Sequence, residues 1–289
     1  MRYVVEHETR LRFRHPVREH HCELRLAPPD TPHQRVHGVR FAVDPEAPLS
    51  EFRDGFGNRV HHFDVASPHE FLKTRVTAEV ETLLTNPFDY PPIPPSREME
   101  WIASELRGTP RLWDYVLHRS PATPAVDRIS LPPGCPAREP GNSVLESVRA
   151  AMSWVAATLT YRAGVTHVHS SLAEALEARA GVCQDFAHLL ITLVRSWGIP
   201  ARYVMGYVDP GYAPGSDPTT QAPHAWAEVL IPGAGWRGVD PVHQLVADET
   251  YLCVAWGRDY LDAAPQRGSF KGDAGGQAPE VSLSVLRQQ

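Results

Sequence analysis

The amino-acid sequence predicts an α+β protein, in which an antiparallel β-sandwich domain precedes a core of helices and a second antiparallel sheet. Three observations predict this class. Apolar and polar residues alternate through the first 85 residues, with the period of strands that have one buried face. A proline-rich segment follows. From Asn142 onward, apolar residues recur at steps of three and four, as in a helix, before strand-like runs return.

Length and composition limit the classes of function. The chain has 289 residues, of which 42% are hydrophobic, so two domains with their own cores fit. A net charge of −6 gives no basic field, which predicts neither a nucleic-acid partner nor a membrane partner. Four scattered cysteines without a CxxC pair predict neither a zinc ribbon nor a disulfide scaffold. Because no secretory or membrane-spanning apolar run is visible, we expect a cytoplasmic protein with reduced thiols.

Residues 1–85 are predicted to form the β domain. Segments such as 10–14, 39–43 and 75–81 alternate apolar with polar side chains, so each has one buried and one solvated face. The segment 54–58, Asp-Gly-Phe-Gly-Asn, has the composition of a turn. Several short strands separated by turns favour an antiparallel β-sandwich.

The segment 86–141 is predicted to be a connector. It holds twelve of the 28 prolines, yet it also carries large apolar side chains. A fully flexible linker would not carry two tryptophans, so we expect one or two short helices between Ser96 and Arg119 that pack against both neighbours. The side chains that require burial there are Trp101, Leu106, Trp113 and Val116.

Residues 142–289 are predicted to form the second domain. Its helices are followed by strand-like runs at 201–208, 224–231 and 236–240, and a loop rich in proline and glycine at 209–223 precedes the second run. Helices that come before a group of strands predict a helical layer packed on an antiparallel sheet.

Three helices are expected at the start of this domain. Ser143 and Glu146 have the spacing of a capping box, and Ser171 and Glu174 repeat it before a short helix. A third helix is predicted for residues 183–197, because its apolar residues form one stripe and a glycine and a proline follow it.

Cys183 lies in the first turn of the third predicted helix, directly after a loop. The unpaired N–H groups and the positive end of the helix dipole stabilise a thiolate at such a position. The same N–H groups can donate to an oxyanion that forms beside the sulfur, and Gly181 allows a substrate to approach the backbone closely. A lone cysteine is more often a buried structural residue, so position alone leaves both roles open.

His224 and Asp240 form the second part of the candidate site. If the two strands that carry them form a hairpin centred on Pro232, the two side chains lie directly opposite each other, with Cβ atoms about 4.5–5.5 Å apart. A turn centred on Gly233–Ala234 would shift the register and is expected to lose this pairing. In the paired arrangement Asp240 orients the imidazole, and the other ring nitrogen faces Cys183.

Three separated segments resemble the cysteine, histidine and aspartate blocks of bacterial transglutaminase-like proteins. The segments are 181–189 with 195–207, 224–229 and 235–241. The N-terminal part, with segments 24–26 and 54–58, is similar to the β domain that precedes this core in bacterial members, and 257–268 resembles the family's closing segment. The resemblance spans nearly the whole chain, and three blocks in the same order are more specific than any one of them.

The resemblance implies a transglutaminase-like core of papain-related architecture. It implies that Cys183 is the nucleophile, His224 the base and Asp240 the acid that orients the histidine. It also implies a second oxyanion donor upstream of the cysteine, for which two aromatic residues are candidates, Tyr161 and Trp154.

The remaining candidates for the oxyanion hole or the substrate cleft are less specific. His243 stands where many relatives have an Asn-rich turn, so it could affect the entry of substrate. Trp226 shares a strand face with His224, and Gln184 follows the cysteine. The full set of such candidates is Gln184, Tyr161, Trp154, Trp226 and His243.

The implied chemistry is acyl transfer from a peptide or protein amide through a thioester on Cys183. We favour water as the acceptor, which makes the protein a cysteine peptidase or amidase, because water is always present and its exclusion must be built. An amine acceptor would make it a protein-glutamine amine γ-glutamyltransferase. The wall of the acceptor site, predicted to be loop 209–223 and the β domain, decides between them.

Two other classes are less favoured. A non-catalytic interaction module would not need Cys183, His224 and Asp240 all in place. A metal-dependent hydrolase has little support, because the histidine pairs lack an identifiable third ligand, and no metal or cofactor is expected.

Overall fold

The computed structural model describes residues 1–211, 221–273, 275 and 278–288. Most of the predicted loop 209–223 therefore lies outside the described residues. Within the described ranges, no helix is both long and apolar enough to cross a bilayer.

The N-terminal region is a curled antiparallel sheet. Its strands are β1 (Arg2–Ala27), β2 (Gln34–Asp44), β3 (Ser50–Arg53), β4 (Arg59–Val65) and β5 (His69–Thr82), in the spatial order β2-β5-β1-β4-β3. The first half of β1 pairs with β5 and the second half with β4, and the register breaks between Arg12 and Val17. Pro16 lies in this break and cannot donate to the ladder, which is consistent with a bend there. The antiparallel β structure predicted for this region is confirmed.

The connector carries helices, as predicted. They are α1 (Pro95–Gly108), a 3₁₀ turn (Pro110–Trp113), α2 (Asp114–Leu117) and a second 3₁₀ turn (Val126–Arg128). Leu106 and Val116 are buried in the common core, and Trp101 packs against it. Trp113 is 42% exposed, so the expectation that it is buried was wrong. It ends the 3₁₀ turn, whose buried residue is Leu112.

Both predicted capping boxes are formed. The first opens α3 (Val144–Thr158), and after β6 (Thr160–Tyr161) the second opens α4 (Leu172–Ala178). The Ser143 hydroxyl accepts from the Glu146 N–H at 3.1 Å, and the Ser171 hydroxyl accepts from the Glu174 N–H at 3.3 Å. The strand β7 (Ala180–Gly181) then pairs in parallel with β6 and leads into α5 (Cys183–Ser196).

A second antiparallel sheet lies against α5. Its strands are β8 (Ala201–Val208), β9 (His224–Ile231), β10 (Gly235–Asp240), β11 (Leu245–Val246) and β12 (Tyr251–Gly257), in the order β11-β10-β9-β8-β12. Ala225, Ala227 and Val229 alternate toward α5 and are fully or nearly fully buried. The α+β class and the predicted cysteine helix on an antiparallel sheet are confirmed.

The end of the chain returns to the first sheet. After α6 (Tyr260–Ala263), the strands β13 (Gln266–Lys271) and β14 (Glu280–Gln288) both pair with β1. The predicted boundaries place these strands in the second domain, residues 142–289. Strand pairing over more than 200 positions leaves no local pattern, so periodicity identifies the strands but not their partner.

Side-chain amides of the first sheet hold the edge strand β12. Gln34 donates to the Cys253 carbonyl and accepts its N–H, each at 2.9 Å. Asn58, from the predicted turn, makes the same pair of bonds to the backbone of Trp256 at 2.7 and 2.9 Å. The two amides therefore satisfy an exposed strand edge and join the two halves of the molecule.

Candidate active site

Cys183 is the first residue of α5 and is half-buried. The Asp185 carboxylate caps this end of the helix, because it accepts the Val182 N–H at 2.8 Å and the Thr166 hydroxyl at 2.6 Å. A Cβ at Gly181 would lie 2.5 Å from the Asp185 carboxylate, so the glycine makes room for the cap. Gly181 thus has a structural role at this cap, and the close approach of a substrate to its backbone stays a prediction.

His224 and Asp240 are in contact, although the predicted register was wrong. The pairs Gly235–Ile231 and Val239–Ala227 centre the hairpin on Gly233, so His224 and Asp240 are diagonal rather than directly opposite. The shift is two residues, which keeps both side chains on one face, and diagonal neighbours stay within reach of long side chains. The distance from His224 Nε2 to Asp240 Oδ2 is 2.7 Å.

The turn explains the register. The Ala234 N–H donates to the Ile231 carbonyl at 3.0 Å, and Gly233 has a φ of 80°. Pro232 followed by a glycine with positive φ is the arrangement of a type II turn, in which only the third residue needs that conformation. Gly233 meets this requirement, and the hairpin therefore closes one residue later than predicted.

Asp240 accepts more hydrogen bonds than the sequence predicted. Its Oδ2 atom also accepts from His243 Nδ1 at 2.7 Å and from the Tyr251 hydroxyl at 2.9 Å, and Oδ1 accepts the Val242 N–H at 2.9 Å. The side chain is fully buried. Burial alone would raise the pKa of this carboxyl, but His224 and His243 outweigh burial and hold the pKa well below its usual value.

The His224 imidazole is charged at neutral pH. Burial alone would lower its pKa, but the Asp240 carboxylate and a hydrogen bond with Cys183 raise the pKa to about 10. Because Nε2 is bound to Asp240, Nδ1 is the nitrogen available to the sulfur. The three residues therefore form one chain from a buried carboxylate through an imidazolium to a thiol at a helix N-terminus.

Trp226 packs against the His224 imidazole. Its ring is 2% exposed, and it stacks on His224 with centroids 6.2 Å apart and meets the Tyr251 ring edge-on at 5.3 Å. Two glycines on the neighbouring strands leave the space for it. A Cβ at Gly206 would lie 2.6 Å from the indole, and one at Gly238 would lie 3.0 Å from it. The buried indole thus holds one face of the imidazole in place.

Tyr161, Trp154 and Gln184, the other predicted cleft residues, lie in different surroundings. The Tyr161 ring is 55% exposed, and burial followed by the charges of Cys183 and Asp240 raises the pKa of its phenol. The Trp154 N–H instead donates to the Pro133 carbonyl at 3.4 Å. The Gln184 amide is directed to the Val168 carbonyl at 3.5 Å. Tyr161 pairs with Gly181, two residues before Cys183, whereas the other two side chains bond elsewhere.

Two groups of described residues have the composition of a metal site. His224, Asp240 and His243 form one, and their ligand atoms lie within 4.8 Å of one another. Both imidazoles are already hydrogen-bonded to the same carboxylate oxygen at 2.7 Å. The second group is His21, His62 and Asp64 on the surface of β1 and β4.

Tyr251 is the site residue that sequence reasoning missed. It opens β12, at the opposite edge of the sheet from β11, and its hydroxyl reaches Asp240 across the face that carries Trp226. A contact between strands that are not neighbours gives no spacing signal. His243 was identified as a departure from the family's pattern, but its bond to Asp240 was not predicted.

A helix that begins at a cysteine and packs on an antiparallel sheet carrying a histidine and an aspartate is the architecture of papain-related, transglutaminase-like proteins. A family model described as the transglutaminase-like superfamily matches residues 136–241, which include Cys183, His224 and Asp240. A second, the bacterial transglutaminase-like N-terminal region, matches residues 3–81.

Relatives match the chain over its whole length. An uncharacterized protein of Mycobacterium tuberculosis (strain ATCC 25618 / H37Rv) is 33% identical over 296 residues, which cover 99% of this chain and 92% of that protein. An uncharacterized protein of Mycobacterium leprae (strain TN) is 32% identical, with 99% of both chains covered. The chain belongs to the transglutaminase-like superfamily.

Two further similarities concern proteins with a described activity. A solved structure described as "a Putative Cysteine Protease from Cytophaga hutchinsonii" matches with a TM-score of 0.64 and 23% identity, covering 100% of this chain and 92% of that one. A protein-glutamine gamma-glutamyltransferase of Pseudomonas aeruginosa is 31% identical over 96 residues, which cover 31% of this chain and 14% of that protein. The first match supports the fold alone.

Proposed function

We propose that the protein is a thiol-dependent acyl-transfer enzyme that cleaves amide bonds of peptides or proteins, with water as its usual acceptor. The observation that carries the proposal is the buried chain from Asp240 through His224 to Cys183, at the N-terminus of α5. In this proposal Cys183 is the nucleophile, His224 the general acid and base, and Asp240 the residue that holds and charges the imidazole.

The proposed reaction has two steps. The Cys183 thiolate attacks the amide carbonyl carbon, and the N–H groups of the first turn of α5 stabilise the oxyanion. The C–N bond then breaks, the His224 imidazolium gives its proton to the leaving nitrogen, and a thioester remains. His224 next takes a proton from water as the oxygen attacks the thioester, which releases the acid and restores the thiolate and imidazolium.

Tyr161 is proposed as the second oxyanion donor. Its raised pKa keeps the phenol protonated at neutral pH, so the hydroxyl can donate to an oxyanion beside Cys183. We expect Tyr161→Phe to lower kcat by about 10²–10³ with little change in KM. Trp154→Phe is the matched control, because the Trp154 N–H donates to Pro133, and its kcat should stay near that of the wild type. Equal kcat values for the two variants would remove Tyr161 from the oxyanion hole.

Alkylation with iodoacetamide near neutral pH tests the nucleophile. Burial raises the pKa of the other three thiols, that of Cys22 to about 12, and raises those of Cys135 and Cys253 too. We therefore expect label on Cys183 first, and a rate at least about 100-fold lower in His224→Ala, since the imidazolium that stabilises the thiolate is lost. Slow and equal labelling of all four cysteines would exclude the proposed enzyme and favour an interaction module.

Transglutaminase activity is the second candidate function. The local similarity to a protein-glutamine gamma-glutamyltransferase supports it. The two activities use the same residues and differ in the acceptor, so release of ammonia from a glutamine peptide should be measured with and without a primary amine. Incorporation of the amine would identify a transferase, whereas ammonia release with glutamate as the product would identify a hydrolase.

The proposed setting is the cytoplasm. Among the described residues, all four cysteines are free, which suits a compartment that keeps thiols reduced. A thiolate nucleophile needs the same condition.

A further inference from the structure

A cavity of about 290 Å³ lies where the first sheet meets the segment that leads into β9. Strands β1, β13 and β14 form one side of it. The apolar part of its wall includes Leu11, Pro223, Tyr260, Pro265, Phe270 and Val281. The wall contains none of the four residues that act in the proposed function, which are Cys183, His224, Asp240 and Tyr161.

Two parts of the cavity wall adjoin residues of the candidate active site. Pro223 in the wall directly precedes His224, the first residue of β9. On another side, the Tyr260 ring meets the Tyr203 ring edge-on with centroids 6.2 Å apart, and Tyr203 interacts electrostatically with Cys183. Two residues of the cavity wall, Pro223 and Tyr260, therefore link the cavity to the surroundings of His224 and Cys183.

The position of the Pro223 wall is held by the first sheet. The Gln221 side-chain carbonyl accepts the Val285 N–H of β14, two residues before Pro223. Val281, on the same strand, is paired with Thr9 of β1, and both line the cavity. The return of the C-terminal strands to β1 thus builds the cavity and anchors the start of the histidine strand to it.

The cavity suits an uncharged group. No acidic residue, lysine or arginine occurs among the described residues that line it. Burial lowers the pKa of His7 to about 4, and burial together with neighbouring His69 lowers the pKa of His20 to about 4, so both imidazoles are neutral at pH 7. His7 is also committed to the Tyr207 hydroxyl at 2.9 Å. A charged side chain would enter this space without a partner for its charge.

The volume fits a single side chain. Small-molecule pockets usually measure about 300–1,000 Å³, and an apolar cavity of about 150 Å³ holds a benzene ring. A space of 290 Å³ accommodates one aromatic or long aliphatic side chain with part of its backbone.

We propose that this cavity is a specificity subsite, which binds an aromatic or long aliphatic side chain of the amide substrate while Cys183 attacks a bond nearby. The inference rests on the proposed function, because it assigns the cavity to the substrate of that site. It predicts a preference for substrates with an apolar residue beside the reacting amide.

Paired alkylating probes test the subsite. Chloroacetamides with N-benzyl, 2-phenylethyl and 3-phenylpropyl groups are compared with N-hydroxyalkyl chloroacetamides of equal length. The Cys183 sulfur displaces chloride from each, so only the side group differs. We expect the best phenyl probe to react at Cys183 at least about tenfold faster than its hydroxyl partner, because one apolar ring is buried.

Two tryptophan variants locate the preference. Val281→Trp places an indole at the partly exposed rim of the cavity, and Ser282→Trp, the next residue on β14, points to the opposite face of the strand. The phenyl preference should disappear in Val281→Trp and persist in Ser282→Trp. Iodoacetamide labelling of Cys183 should remain unchanged in both.

A readout without the thiol separates failure of the subsite from failure of the proposed function. In Cys183→Ser, N-methyl-3-phenylpropanamide should shift the ring NMR signals of His7 and His20, and Val281→Trp should abolish the shifts. Slow iodoacetamide labelling would overturn the proposed function on its own. Rapid labelling without a phenyl preference, or signals that do not move, would overturn the subsite while leaving the nucleophile in place.

Discussion

In the Asp240→Asn variant, we expect turnover of amide substrates to fall by about 10⁴ and the pKa of His224 to fall well below its value of about 10. The Asp240 carboxylate is the main group that keeps the buried imidazole charged. Without that charge, burial favours the neutral ring, so the imidazolium that pairs with the thiolate and protonates the leaving nitrogen is lost.

The hydrogen bonds around Asp240 strengthen this expectation. Three donors converge on Oδ2, from His224, His243 and Tyr251, and the Val242 N–H donates to Oδ1. The NH₂ group of an asparagine must replace one of these oxygens, and on either side it faces donors. The substitution therefore removes a negative charge. It also places the N–H groups of the asparagine against N–H or O–H donors that then lack an acceptor.

The pH dependence of stability has a definite sign. The raised pKa of His224 contributes stability that is fully present below its unfolded value of about 6.5 and is lost as the pH rises through about 10. The lowered pKa of Asp240 contributes stability that is present above its unfolded value of about 3.9 and is lost as the pH falls. The pair therefore stabilises the fold most between about pH 4 and 6.5. In Asp240→Asn, the free energy of unfolding should depend less on pH, both below and above this range.

NMR of ¹³C- and ¹⁵N-labelled histidine measures the change directly. In the wild type, the His224 ring should remain charged at pH 8, and in Asp240→Asn it should be neutral there. Tyr251→Phe is the matched control, because it removes one donor to Oδ2 and keeps the carboxylate, so the His224 pKa should stay raised. A charged His224 at pH 8 in the asparagine variant would refute the role given to Asp240.

Features set by local sequence were predictable. The capping boxes at Ser143 and Ser171 formed because each uses residues three positions apart. The start of α5 at Cys183 follows from a helical stripe preceded by a glycine loop. The shared face of His224 and Asp240 was also predictable, because strand parity survives a two-residue shift in register.

Features set by distant contacts were not predictable from one sequence. Pro232, Gly233, Ala234 and Gly235 offer several turns of similar quality, and the choice depends on the final packing. Tyr251 reaches Asp240 only because the Trp226 face brings their strands together. The pairing of β14 with β1 depends on the complete sheet, and so does the cavity that Pro223 and Val281 line.

Replacing Gly206 with alanine should cause a large loss of stability. The glycine lies on β8 opposite His224, and a Cβ there would meet the Leu252 carbonyl oxygen at 2.0 Å and the Trp226 ring at 2.6 Å. The Leu252 carbonyl belongs to the backbone of β12, so the paired strands β8 and β12 must separate. The second contact displaces the Trp226 ring that packs against His224. We expect a loss of about 3 kcal/mol in the free energy of unfolding, at the upper end for overpacking.

Denaturant unfolding and Cys183 alkylation together test this account. Gly38→Ala is the matched control, because it also lies in a strand and a Cβ there meets nothing within 4 Å, so its unfolding free energy should change by less than about 1 kcal/mol. In folded Gly206→Ala, alkylation of Cys183 should also slow, since movement of Trp226 shifts His224 away from the sulfur. An unchanged free energy of unfolding in Gly206→Ala would mean that β12 and Trp226 move aside at little energetic cost. Lost stability with normal alkylation would mean that the imidazole is held by Asp240 alone, without the indole beneath it.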